Sequence, residues 1–96
     1  MPASVLLGHV CSGHGCFPSR ANVQGSPNVY ANGLPVHRVG DAWATHCCPN
    51  QGCHSSTAAS GSPNVFANGQ SRCRVGDSVA CGSVMTQGSS DVFING

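Results

Sequence analysis

A nine-residue motif returns along this chain, and it constrains the fold more than any other feature. Gly25-Ser26-Pro27-Asn28-Val29-Tyr30-Ala31-Asn32-Gly33 recurs as Gly61-Ser62-Pro63-Asn64-Val65-Phe66-Ala67-Asn68-Gly69. A weaker copy, Gly88-Ser89-Ser90-Asp91-Val92-Phe93-Ile94-Asn95-Gly96, closes the 96-residue sequence. Each copy is one structural unit that cannot bury its own apolar face, so the copies must pack on one another. Three copies in so short a chain imply a small, three-sided object.

Each strong copy reads as a β-hairpin. Gly-Ser-Pro opens with turn chemistry, Asn-Val-Tyr/Phe-Ala is strand-like, and Asn-Gly supplies the two positive-φ residues of a type I′ turn. The return strands are Leu34-Pro35-Val36-His37-Arg38-Val39 and Gln70-Ser71-Arg72-Cys73-Arg74-Val75, stopped by Gly40-Asp41 and Gly76-Asp77. Pro35 restricts its strand to an edge or to irregular pairing. The third copy stops at its turn, and the missing return strand resembles Pro2-Ala3-Ser4-Val5-Leu6-Leu7-Gly8-His9. The N-terminal segment is therefore expected to pair with Val92-Phe93-Ile94 and close the set. Residues 9–24, 42–60 and 78–87 read as loops without a helical period.

The chain has 13 Gly, no Lys and no Glu, which is poor material for helices and predicts an all-β or loop-rich single domain over residues 1–96. Four Arg oppose three Asp with no basic run, which argues against nucleic acid as a partner. No apolar stretch reaches membrane-span length, so stable membrane anchoring is not expected. Residues 1–10 carry no positively charged n-region, so export, if it occurs, is expected without a conventional signal.

Seven Cys and five His are unusual at this length, and the mixture points to metal rather than to a simple disulfide framework. The repeat supplies a phase for testing this. His14 lies six residues past Gly8, His46 six past Gly40, and Cys81 five past Gly76. Equivalent positions in three similar units face a common axis. His54 in the longest loop is the natural fourth member, with neighbouring Cys53 as the alternative. Three imidazoles and a thiolate suit tetrahedral Zn2+, and four protein ligands make a closed, structural site. His9 and His37 fall out of phase and read as surface or strand histidines. Cys11, Cys16, Cys47, Cys48, Cys53 and Cys73 remain open between buried thiols, alternative ligands and disulfides. Cys11/Cys16 and Cys48/Cys53 are the local pairs, each enclosing four residues. Asp41 and Asp77 read as turn residues, and Trp43 and Phe17 as packing. With no Glu, the usual general base of a zinc hydrolase is missing, so no enzyme is expected.

The repeat followed by Pro-x-x-Arg-Val-Gly-Asp resembles the PAAR-repeat family, whose members cap the spike of type VI secretion systems and contractile phage tails. The naming tetrad departs from the family form: it reads Pro35-Val36-His37-Arg38 and Ser71-Arg72-Cys73-Arg74. The resemblance implies an all-β cone of three pseudo-threefold-related hairpins with long loops. It implies one zinc near the tip on His14, His46, His54 and Cys81, the set selected by phase. Its base would sit as a monomer on a trimeric β-helical spike of the VgrG or phage-tail type. The strand-forming Val29, Tyr30, Val65, Phe66, Val92 and Phe93 are the candidates for framing that base, the alternative being that they pack as hairpin core. The implied function is a non-enzymatic tip that sharpens the spike for membrane puncture, the alternative being an adaptor for a separate effector. No effector extension is expected within the chain. The implied location is the bacterial cytoplasm during assembly, then the tip of the apparatus.

Overall fold

A computed structural model describes residues 2–94; the turn of the third copy, Asn95-Gly96, lies outside them. The described residues are all β and irregular structure, without a helix. Both strong copies form the expected hairpins: β1 (Tyr30–Ala31) pairs with β2 (Leu34–Pro35). Further along, β3 (Ala42–Cys48) pairs with β4 (Gly52–Thr57), and β5 (Phe66–Ala67) with β6 (Gln70–Ser71). The turn residues have the positive φ that type I′ demands, 53° and 77° at Asn32 and Gly33, 55° and 78° at Asn68 and Gly69.

Each return strand leaves its own hairpin after two residues and pairs with its counterparts from the other copies. Single bridges join Ser4 to Arg74, Leu6 to Val36 and Arg38 to Arg72. At their centre the amides close a ring: Val5 N–H donates to Cys73 O at 3.0 Å, Cys73 N–H to His37 O at 2.9 Å, and His37 N–H to Val5 O at 3.0 Å. All three side chains are fully buried. The N-terminal segment does complete the third copy, through an Ala3–Phe93 bridge and a Ser4 N–H bond to Val92 O of 2.9 Å.

Serine anchors the opening of each copy. Ser26, Ser62 and Ser89 Oγ accept the amides two and three residues on, between 2.9 and 3.2 Å. Copies are then tied together, Ser26 to the turn residue Asn68 at 2.5 Å and Ser89 to the turn residue Asn32.

The stops after the return strands are ion-paired turns. Asp41 accepts the Arg38 amide and Nε, both at 2.9 Å, and Nη2 at 2.8 Å; Asp77 repeats this with Arg74 at 2.7, 3.0 and 3.0 Å. The reading of both as turn residues holds, with the arginine as the added part. His9 occupies the corresponding place after Gly8: its Nδ1 accepts the Leu6 amide at 3.1 Å. It is thus the third turn cap and not a surface histidine, because an imidazole nitrogen can accept an amide as a carboxylate does. His37 is a strand histidine, and fully buried. It donates Nδ1–H to Gln24 O at 2.8 Å and meets Trp43 edge-on.

Residues 42–60 overturn the loop expectation. They hold the longest hairpin of the described residues, β3–β4, turned by Pro49-Asn50-Gln51 with φ of 68° at Asn50 and 82° at Gly52. Trp43, His46 and Cys48 are buried along β3 while Thr45 and Cys47 face outward. Val5, Cys11, Trp43, Ala58, Cys73, Val79 and Met85 form one core cluster, Leu6, Val36 and Ala67 a second. The body is elongated, 39 × 24 × 21 Å.

Candidate metal centre

Three phase-related segments bring the site together. Residues 9–24 run beside β3 through an Asn22–Trp43 bridge and reach 78–87 through Cys11–Met85, while Ala58–Val79 ties the end of β4 to the same segment. His14 stands at a tight turn in which His14 and Phe17 exchange amide hydrogen bonds of 3.1 and 2.8 Å. Gly13 is obligatory just before it, since its φ is +72° and a Cβ would lie 2.5 Å from Phe17 O. His46 lies on β3 directly opposite His54 on β4. Cys81 follows the Asp77 turn.

His14, His46, His54 and Cys81 each offer one donor atom, and these atoms lie within 4.8 Å of one another. His54 Nε2 is 3.1 Å from His14 Nε2 and 2.6 Å from His46 Nε2. A tetrahedral zinc shell separates nitrogen ligands by about 3.3 Å, close to these spacings. His46 donates Nδ1–H to Pro18 O at 2.8 Å, which leaves the Nε2 lone pair of the neutral ring pointing at the group. Phe17 covers all three imidazoles, with ring centroids 4.9, 4.9 and 4.3 Å from His14, His46 and His54. Burial by itself would raise the Cys81 thiol pKa. The Ser83 amide, the Arg20 guanidinium, the Ser83 hydroxyl and His54 outweigh it and bring the thiol to about 5, so the sulfur is a thiolate at neutral pH. These donors can hold a soft-to-borderline divalent ion at a closed position.

Residues 8–87 match the family model described as the PAAR motif. The chain belongs to the PAAR-motif family. No curated protein matches it in sequence. The family match fits a structural role at a spike tip.

Cys53 is not the alternative donor, because it is bonded to Cys47. Cys16 is bonded to Cys48, so neither of the local pairs considered from spacing forms. The reason lies in the PAAR chain's own hairpin. Cys47 stands opposite Cys53 in the β3–β4 register, and alternation along β3 sends Cys48 to the other face, toward residues 9–24. Cys11, Cys73 and Cys81 are in no disulfide, the first two buried. Arg20, Ser83, Phe17 and the Pro18 carbonyl support the site and were not singled out for it. The one available signal was that Arg20, unlike Arg38, Arg72 and Arg74, lies off the return strands.

Proposed function

We propose that the chain is a non-enzymatic tip that caps a trimeric β-helical spike and sharpens it for puncture of a target membrane. The observation that supports this reading is the same pair of residues left similarly exposed in every copy. Tyr30, Phe66 and Phe93 are 57, 55 and 50% exposed, each beside a half-buried Val29, Val65 or Val92. A monomer with three similar apolar faces suits a homotrimer, whose three identical edges need equivalent partners. In this reading His14, His46, His54 and Cys81 hold one structural Zn2+, which contributes folding free energy to a small domain bearing mechanical load. The protein is assembled in the bacterial cytoplasm and carried out on the apparatus, a secretion system or a phage tail.

The test is co-purification with a trimeric spike fragment of the same genome. Wild type is expected to form a complex of one chain per trimer, and Phe66→Asp to weaken it while leaving the melting temperature near wild type. Failure of the wild type to bind any cognate spike at micromolar concentration overturns the reading.

A further inference from the structure

Arg20 is only 8% exposed, yet among the described residues none of its partners is a carboxylate. Its Nε donates to Ala44 O at 2.8 Å, and its Cζ sits 5.4 Å from the Trp43 ring centroid. Nη1 reaches Cys11 Sγ at 3.1 Å and Ser83 Oγ at 3.5 Å, and Nη2 reaches Cys81 Sγ at 3.5 Å. The acids are engaged elsewhere: Asp41 and Asp77 by Arg38 and Arg74, Asp91 by Asn32 and Ser89. A buried guanidinium needs an anion or strong acceptors around it. Here the acceptors that can carry charge are sulfur atoms, and one belongs to the metal group.

We propose that Arg20 is the positioning residue of the metal centre: its fork holds the Cys81 sulfur toward the three imidazoles and hydrogen-bonds the metal-bound thiolate. Cys11 anchors the other arm, so the guanidinium plane is fixed by two sulfurs, one carbonyl and the Trp43 face. A planar fork with several donors can meet these acceptors at once, which an ammonium cannot. N–H···S bonds withdraw electron density from the thiolate and lower the energy of its lone pairs, and outer-shell contacts of this kind tune both the affinity and the electronics of a site. The inference rests on the metal reading above.

Cobalt(II) in place of zinc gives the readout, since its sulfur-to-metal charge-transfer band reports the thiolate lone-pair energy. Arg20→Gln keeps much of the length and a donor but loses the charge. It is expected to move the band to longer wavelength and to make metal about tenfold easier to remove with a chelator. Arg20→Lys, which keeps the charge but not the fork, is expected to recover only part of the band position. A loss of packing alone lowers thermal stability without moving the band, so a band unchanged in Arg20→Gln overturns the proposal. If Arg20→Gln does not fold, Cys11→Ala decides: releasing the second anchor should shift the band in the same direction, and an unmoved band overturns the proposal. Wild type that takes up cobalt without a thiolate band, or takes up none, overturns the metal reading and this proposal with it.

Discussion

The Cys73 amide donates to the His37 carbonyl at 2.9 Å, and with Val5 the two residues close a ring of backbone hydrogen bonds drawn from three return strands. Every residue of that ring is fully buried. The N-terminal segment is therefore part of the core and not a tail.

Removing residues 2–7 takes Val5 and Leu6 from the core and leaves the Cys73 carbonyl and His37 amide unpaired. Each buried aliphatic side chain is worth about 1.5–3 kcal/mol, before any cost of the orphaned groups. Thermal unfolding of the truncated chain should show a melting temperature lower by more than 10 °C or no cooperative transition. An unchanged midpoint would refute the closure of the third copy.

The metal reading predicts about one zinc per chain by elemental analysis, with His46→Ala lowering both occupancy and melting temperature. Chelation should destabilise the wild type and leave His46→Ala almost unaffected. Unchanged zinc content in His46→Ala removes that residue from the ligand set.

Asp41→Asn should destabilise more than Asp77→Asn. Each change leaves an arginine facing an uncharged partner, but the Arg38–Asp41 side chains are 8 and 1% exposed against 17 and 7% for Arg74–Asp77. Breaking a buried pair costs about 3–5 kcal/mol, and water access reduces that figure for the second turn. Denaturant titration of both variants checks the order; equal losses would show that the difference in burial has no energetic weight.

Reduction of the disulfides should lower stability without unfolding the return-strand core. Cys16–Cys48 spans 32 residues and Cys47–Cys53 spans 6, and on loop-entropy grounds the first contributes about 3–4 kcal/mol and the second less. The paired variants Cys16→Ser/Cys48→Ser and Cys47→Ser/Cys53→Ser, melted without reductant, test the ranking.

Stability should fall on the acid side. Burial holds the His37 pKa below its ordinary value, and burial does the same at His9. The unfolded chain therefore takes up protons below about pH 6.5 that the folded chain does not, so this stabilisation is complete above that pH and is lost as pH falls toward the folded-state values. Melting temperatures from pH 7.5 to 5, taken with excess chelator so that metal release does not contribute, should decline. His37→Asn should show a shallower slope.

The sequence by itself determined the all-β class, the Asn-Gly hairpins, the Gly-Asp stops and three converging residues, His14, His46 and Cys81, with His54 or Cys53 as the fourth. Those features rest on a few consecutive residues or on the period of the repeat: Asn32-Gly33 turns the chain wherever it lies, and the near-equal spacing of six residues past Gly8 and Gly40 and five past Gly76 carries phase into space. Only the tertiary structure decided what depends on distances between remote segments. The β3–β4 hairpin of residues 42–57 hid behind its Cys, His and Ser content, and its register, not loop length, pairs Cys47 with Cys53 and frees Cys48 for Cys16. His9 read as a surface or strand histidine because the cap it replaces is a carboxylate elsewhere. Arg20 meets Cys81 across 61 positions of sequence. No local pattern encodes such a contact; it exists because packing around Trp43 brings the two segments together.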